Sequence, residues 1–423
     1  MQSVNKDLRG EKAGKRTCFS AWLPFIFLGV ISVTLSGCSE STYDISGRVT
    51  AGGAALSGVN VTLAGGGGSK TTSTDTDGNY LFTDVGSGTF SVAPSLAGYI
   101  FTPASRSAWI YGMSATGFDF WASTFGRVAA TTQTIRIKSD ATVWSWGENS
   151  NGQLGDGTTI DKQIPRQVAG LAVTAVAAGT NHTVVLRKDG TVWTWGNNAS
   201  GQLGDGTTTD RSAPVQVSGG SLSYATAIAA GYDHMVALRS DATIWTWGNN
   251  AGGQLGNGTT TGSLVPIQMP GLAYATAVAA GYQYSLAMYN TVTSYTVYAW
   301  GVNGSGQLGN GTTTDSTTAV AVSGLSAVVA IAAGYDHALA LNNDGTVLAW
   351  GSNGKGQLGN GTTTNSSVPV AVMGLTGGVT IAAGTQNSFA LKNDGTLWAW
   401  GRNDHGQLGD GTLTDRWNPL QVQ

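Results

Sequence analysis

Ile331-Ala332-Ala333-Gly334-Tyr335-Asp336-His337-Ala338-Leu339-Ala340-Leu341, then Asn343-Asp344-Gly345, Trp350-Gly351 and Gly356-Gln357-Leu358-Gly359, is the stretch that decides the fold, because it recurs. Gly-Gln-Leu-Gly begins at Gly152, Gly201, Gly253, Gly306, Gly356 and Gly406, at spacings of 49, 52, 53, 50 and 50 residues. A Trp-Gly pair precedes each, at Trp146, Trp195, Trp247, Trp300, Trp350 and Trp400. Self-similarity at a fixed period outranks any local motif. Each unit reads as four strands. The first ends in Ala-Ala-Gly, and the second returns as His-x-x-Ala-Leu. Asn343-Asp344-Gly345, Asn393-Asp394-Gly395 and Lys188-Asp189-Gly190 supply the positive φ of a tight hairpin into the third. Thr346 to Trp350 is such a third strand, and Val368 to Val372 a short fourth.

About fifty residues of antiparallel meander cannot bury both faces alone. Six units stacked radially can, which also solves the problem of open sheet edges. The tryptophans are the expected filling between neighbouring sheets, since burying about 200 Å² of indole is worth up to about 5 kcal/mol. The fold class is therefore all-β, a β-propeller of six blades. His-x-x-x-Ala-Leu followed by Asp-Gly-x-Val-x-x-Trp-Gly-x-Asn-x-x-Gly-Gln-Leu-Gly-x-Gly resembles the repeat of the regulator of chromosome condensation (RCC1-like) family, over residues 124–423. Well-known members of that family have seven blades, so seven is the alternative count. The first unit is degenerate, since Val128-Ala129-Ala130-Thr131 lacks the Gly and the His. In the fourth, Asn290 to Thr296 replaces the Asp-Gly turn. The last strand, Pro419 to Val422, is expected to pair beside the first hairpin, Arg127 to Lys138, and so close the ring.

Composition narrows the class further. Of 423 residues only 11% are charged, Gly numbers 63, Pro 9 and Trp 14. Few prolines exclude collagen and a Pro-rich stalk, and the aromatics exclude a disordered chain. Residues 1–37 carry Lys6, Arg9, Lys12, Lys15 and Arg16, then an apolar run from Ala21 to Leu35 interrupted by Pro24. This is a secretory signal: fifteen residues at about 1.5 Å each are too short to span a bilayer. Leu35-Ser36-Gly37-Cys38 resembles the bacterial lipobox, which implies acylation of Cys38. Ser39 after it implies the outer membrane of a Gram-negative cell. Cys18 leaves with the signal, so no disulfide is expected. Without the leader the balance is 16 basic against 22 acidic residues, a charge of -6, which disfavours nucleic-acid binding.

Residues 43–123, after a linker at 38–42, read as a small β-sandwich, with strand-like runs at Asp44 to Thr50, Val59 to Leu63, Asn79 to Phe82 and Thr89 to Ala93. Ile45-Ser46-Gly47-Arg48-Val49, Leu56-Ser57-Gly58-Val59, Thr76-Asp77-Gly78-Asn79-Tyr80 and Gly98-Tyr99 resemble carboxypeptidase-regulatory-like (prealbumin-like) domains, which are usually spacers and adhesive modules. Asp75-Thr76-Asp77-Gly78 is a turn rather than a calcium loop, lacking the further ligands and the twelfth-position Glu.

No residue set reads as catalytic, none as metal-binding, and no cofactor is expected. His182, His234 and His337 share one repeat position that Thr134, Tyr284 and Asn387 fill elsewhere, a pattern of hydrogen bonding rather than ligation. Asp156, Asp205 and Asp410 alternate with Asn257, Asn310 and Asn360, which suits loop capping and not acid–base work. The Ala-Ala-Gly turns and Gly-Gln-Leu-Gly loops fall on one end of the propeller. That end carries Tyr232-Asp233, Tyr282-Gln283 and Tyr335-Asp336, with Thr180-Asn181 and Thr385-Gln386, as the candidate partner-binding rim. The expected protein is a monomeric, non-enzymatic, lipid-anchored, protein-binding propeller at the bacterial envelope. The resemblance also implies one alternative, a guanine-nucleotide exchange or chromatin regulator like the family founder, and the rim Tyr and Trp residues suggest another, a carbohydrate-binding propeller.

Overall fold

The computed structural model describes residues 42–422 apart from 52–53, 67, 97–98, 104, 125–127, 139, 219–221, 273 and 292–293. The leader, Cys38, Ser39, Gly98 and Arg127 lie outside the described residues. All regular structure in the described residues is strand.

Two sheets form the N-terminal part. Ala54–Ala55, Tyr43–Ala51, Phe120–Thr124 and Tyr99–Thr102 lie side by side, with Asn79–Val85 also on Tyr43–Ala51. Gly68–Ser73, Asn60–Gly65, Gly88–Ser95 and Arg106–Ile110 make the other. Their facing side chains, Ile45, Val49, Val61, Val92, Ile110 and Phe120 among them, share one buried core, so this is a β-sandwich. It is not wholly antiparallel: Phe120–Thr124 runs parallel to Tyr43–Ala51. The Asp75 carboxylate accepts the backbone N–H groups of Asp77 (2.9 Å) and Asn79 (2.8 Å), and Gly78 has φ 76°, which makes the segment a turn.

Six four-stranded blades follow. Blade one is Val128–Ala130, Gln133–Ile137, Thr142–Gly147 and the first half of Lys162–Ala178, a 17-residue strand whose second half opens blade two. Blade two continues with His182–Arg187, Val192–Gly196 and Arg211–Gln216. Blade three runs from Ala225–Ala230 to Ser263–Gln268, blade four from Ala275–Ala280 to Ser316–Ala321, blade five from Val328–Ala333 to Ser366–Ala371, and blade six from Gly378–Ala383 to Arg416–Gln421. Blade four has the longer central hairpin, its strands pairing out to Thr291↔Ser294.

One junction recurs between consecutive blades. The indole N–H of Trp195 donates to the Gln153 carbonyl of the preceding blade at 2.9 Å, and Trp247, Trp300, Trp350 and Trp400 repeat this on Gln202, Gln254, Gln307 and Gln357 at 2.9–3.0 Å. All five indoles are fully buried. Each lies against the second Gly of the preceding Gly-Gln-Leu-Gly. A Cβ on Gly309, for example, would fall 2.8 Å from the ring of Trp350, and its φ of 63° excludes most side chains regardless.

Chain closure differs from the expectation. Arg416–Gln421 pairs with Leu397–Gly401 of its own blade, Trp398↔Gln421, and not with the first hairpin. Each blade is thus built from consecutive strands, blade one included. Trp146 is the exception among the six tryptophans: it is only partly buried and, among the described residues, donates to no Gln carbonyl.

The loop after each Trp-Gly is held by side-chain amides. Asn198 Nδ2 donates to the carbonyls of Thr207 (3.0 Å) and Thr209 (3.1 Å) while its Oδ1 accepts the Leu203 N–H (2.9 Å), and Asn149, Asn250, Asn303 and Asn353 do the same. The alternating Asp or Asn accepts the N–H of the residue two further on, Thr207 on Asp205 and Thr259 on Asn257. The choice between them follows the next strand's first residue. Asp156, Asp205 and Asp410 pair with Lys162, Arg211 and Arg416, at 3.2, 2.7 and 2.7 Å. Asn257, Asn310 and Asn360 are followed by Ser263, Ser316 and Ser366 at that place. An acid is used where a cation can offset its desolvation, and an amide where none can.

Candidate functional site

The turns that end the first strands of all six blades meet around one cavity of about 190 Å³, to which every blade contributes, from Ala130 and Thr131 of blade one to Ala383, Gly384 and Thr385 of blade six. The first strands are Ala-rich for a physical reason: six of them converge there, and only small side chains fit. Gly334 is tighter still, since a Cβ would stand within 2.6 Å of the Gly384 carbonyl oxygen and within 2.3 Å of the His337 ring.

Three of the turns present tyrosine. Tyr282 stacks on Tyr335 with centroids 4.0 Å apart and planes 18° apart, and Tyr232 leans on Tyr282 at 4.5 Å and 56°. The backbone sets this spacing: Tyr232 N–H donates to the Tyr282 carbonyl (3.3 Å) and Tyr282 N–H to that of Tyr335 (3.0 Å). Aromatic pairs at such distances gain about 0.5–1.5 kcal/mol beyond their burial. Even so, Tyr232 is 40% exposed and Tyr335 38%. Burial and the adjoining Tyr282 hydroxyl raise the Tyr335 phenol well above its ordinary pKa, so that hydroxyl stays neutral. The opposite half of the rim is threonine: Thr131 Oγ1 donates to the Gly179 carbonyl (2.7 Å) and Thr132 Oγ1 to that of Thr180 (3.0 Å).

Two carboxylates sit beside the arc. Asp233 Oδ2 accepts from Asn249 Nδ2 at 2.6 Å, and among the described residues its buried Oδ1 has no partner. Asp336 Oδ1 accepts from Gln307 Nε2 of the preceding blade at 3.3 Å. Burial raises the pKa of both. Gln283, the counterpart in blade four, is partly buried, and its carbonyl takes the Val302 N–H at 2.9 Å. Six rim residues named from the sequence, Tyr232, Asp233, Tyr282, Gln283, Tyr335 and Asp336, therefore belong to three adjacent turns. The sequence pattern did not point to Gln307, or to Arg402, which reaches Gln386 on the threonine side at 3.2 Å.

His182, His234 and His337 are not on this rim surface; all three are fully buried. His234 Nε2 lies 2.9 Å from Ser285 Oγ, and His337 Nε2 2.9 Å from Ser388 Oγ, each serine being in the next blade. Those hydroxyls donate to the Gln254 (3.0 Å) and Gln357 (2.8 Å) carbonyls, so each ring must supply the proton on Nε2. His182 Nε2 meets Met235 Sδ at 3.1 Å. Burial pushes the three imidazoles down to about 4, about 3 and about 4 for His182, His234 and His337. Tyr284 fills the same position in blade four and donates its hydroxyl to the His337 carbonyl. In blade one the register gives the position to Gln133, opposite Gly147, and not to Thr134; Gln133 Nε2 donates to the Gly179 and His182 carbonyls at 3.3 and 3.2 Å. Asn387 holds it in blade six, opposite Gly401. His405 is exposed and pairs with Asp404 at 2.8 Å. Among the described residues, no three His, Cys, Asp or Glu side chains cluster as a metal site.

Comparison with known proteins gives the same architecture. The chain is 31% identical over 212 residues to the ultraviolet-B receptor UVR8 of Arabidopsis thaliana, covering 49% of this chain and 48% of that one. It is 33% identical over 141 residues to the E3 ubiquitin-protein ligase HERC2 of Homo sapiens, 33% of this chain but 3% of that protein. It thus spans less than half the length of these curated relatives. Among solved structures, yeast RCC1 (Prp20) bound to Kap60 superposes with a TM-score of 0.63 at 23% identity, over 70% of this chain and 74% of that one. Human WBSCR16 does so at 0.62 and 26%, over 70% and 81%. The family model described as the RCC1-like domain matches residues 123–423, and the chain belongs to that family.

Proposed function

We propose that the chain is a non-enzymatic binding protein that grips another protein with the tyrosine arc of blades three to five. The observation that carries this reading is the stack itself: Tyr232, Tyr282 and Tyr335 are fixed by backbone hydrogen bonds yet leave much of their surface open beside two carboxylates. Rigid aromatics bury area at little entropic cost, and the flanking Asp233 and Asp336 favour a partner that brings a cation or a donor. The buried histidines and the loop-capping Asp and Asn residues have structural partners, which supports a binding role over catalysis. Proteins of related architecture are described as binding proteins: yeast Prp20 binds Gsp1p and histones.

The proposed setting is the bacterial envelope, with Cys38 acylated, Ser39 directing the chain to the outer membrane and the sandwich, read as a carboxypeptidase-regulatory-like spacer, between anchor and propeller. A fatty-acid analogue should label the wild type and not Cys38→Ala, and globomycin should block the cleavage that follows. An unlabelled wild type in an expressing Gram-negative host refutes the anchor.

For the rim, Tyr232→Ala, Tyr282→Ala and Tyr335→Ala together should reduce capture of envelope proteins at least about tenfold, or 1.4 kcal/mol, in a pull-down with the 39–423 fragment. Unchanged capture with an unchanged circular dichroism spectrum retires the rim. The stack also offers a face for a sugar ring, and a glycan array separates that carbohydrate reading from the protein one. Nucleotide exchange or chromatin binding would require a cytosolic chain, against the leader and the charge of -6 that remains once the leader is removed.

A further inference from the structure

The five repeated junctions define what a sixth, between blade six and blade one, would contain, and among the described residues each part of it is missing. At the five, a loop Gly N–H donates to the outer strand of the next blade, Gly157 to the Ser212 carbonyl and Gly361 to that of Trp417. Gly411 makes no such bond among the described residues. Beside Gly155, Gly204, Gly256, Gly309 and Gly359 stands an indole, whereas Gly409 meets only Val422 of its own blade. Among the described residues the Gln407 carbonyl receives no indole N–H.

The exposed walls differ in chemistry. Blade six presents Phe389, Leu391 and Leu397. Leu397 is 41% exposed, where its counterparts Val192, Ile244, Val297 and Val347 are at most 2%. Blade one presents Arg136, exposed, in the column where the other blades carry the buried Val185, Ala237, Ala287, Ala340 and Ala390. A guanidinium facing Phe389 would be desolvated without a partner, so the two walls are mismatched for closing on each other.

We propose that this open junction is a docking slot for a β-hairpin of another protein, carrying an indole on the side facing blade six and a carboxylate on the side facing blade one. The chemistry of the occupant follows from internal repetition. Gln407, Leu408 and Gly409 repeat the Gln, Leu and Gly of the five pockets that each hold a tryptophan, and Val422 stands where Val217, Val322 and Val372 line three of them and Met269 lines the Trp300 pocket. The carboxylate follows from register. Ile135 and Val184 occupy equivalent positions on the faces turned to the next blade, and Ile135 packs in the core that contains Val185. A residue at the Val184 position of an inserted hairpin therefore stands against Arg136. The slot is separate from the tyrosine arc, which belongs to blades three to five.

The test uses a cyclised fluorescent peptide of residues 182–196 with Val184→Glu, titrated into the full chain. It should bind saturably, and Trp195→Ala in the peptide should weaken binding about tenfold or more. Leu397→Asp in the protein should abolish binding without altering its circular dichroism. Arg136→Glu should weaken the Glu peptide and strengthen a Val184→Lys peptide. Absence of saturable binding up to roughly 1 mM, or binding indifferent to Leu397→Asp, overturns the proposal. So does spontaneous quantitative disulfide formation in Arg136→Cys/Phe389→Cys, which would mean that the two blades close on each other. A dimer of the chain that Leu397→Asp dissolves would give the slot to a second copy and equally overturn it.

Discussion

Replacing Trp300 by Ala is expected to destabilise the propeller by about 3–5 kcal/mol, whereas the same change at Trp146 should cost about 1 kcal/mol. Trp300 is fully buried between blades three and four, and its N–H satisfies the Gln254 carbonyl. Truncation leaves a cavity the size of an indole in a junction whose neighbours, Val236, Met269 and Ala287 among them, cannot all collapse into it, and it removes one of the two donors on the Gln254 carbonyl, which keeps the Ser285 hydroxyl. A loss of that size approaches the whole margin of an ordinary domain. Trp146 is only partly buried and, among the described residues, has no such acceptor, so little is lost with it. Urea unfolding followed by circular dichroism, with matched m-values, measures the two. Equal losses would mean that the sixth indole is seated like the rest in solution and that the ring is closed.

Acidification between pH 6.5 and about 4 should unfold the propeller through its histidines. His182, His234 and His337 are neutral in the folded state, with pKa values held down to about 3–4 by burial, against about 6.5 when unfolded. Below pH 6.5 the unfolded chain binds protons that the folded chain refuses. The stability these groups contribute is therefore complete above pH 6.5 and is lost as pH falls toward the folded values. Three such sites give a slope of up to about 4 kcal/mol per pH unit. Asp233 and Asp336, raised by burial, act with the opposite sign. The histidine share is isolated by His234→Asn with His337→Asn, a change for which Asn387 of blade six is the precedent. That variant should start less stable at pH 7.5 and show a flatter dependence. A wild-type urea midpoint that stays constant from pH 6.5 to 5 would contradict the argument.

Much of this molecule was written in its repeats. The Gly-Gln-Leu-Gly spacing, the Trp-Gly pairs and the Ala-Ala-Gly turns gave six blades and placed the tyrosines on one end, because each motif answers a local demand: a positive φ, an indole pocket, a crowded axis. What the repeats could not convey is whether the first and last units touch. That depends on the accumulated angle of six blades, to which no single residue testifies, and the expected pairing of Pro419 to Val422 with the first hairpin failed for this reason. Arg136 was the available signal, a cation in a column of Val and Ala. Gln133 was missed because blade one has no Gly before its second strand, so alignment by letters slipped one place to Thr134, and a one-residue slip exchanges the faces of a strand. The salt bridge behind each loop Asp was likewise invisible until Lys162, Arg211 and Arg416 were seen to face them.

Blades assembled from consecutive strands leave the two ends of the propeller unstitched. A pull on Val422 would peel blade six without first tearing any other sheet, and the remaining blades would follow in turn, as pages leave a binding from the back. A ring fastened by a strand from its own beginning would resist as a whole and then fail at once. This chain should instead yield to force in instalments of one repeat, shedding its outermost unit and regaining it while the rest holds.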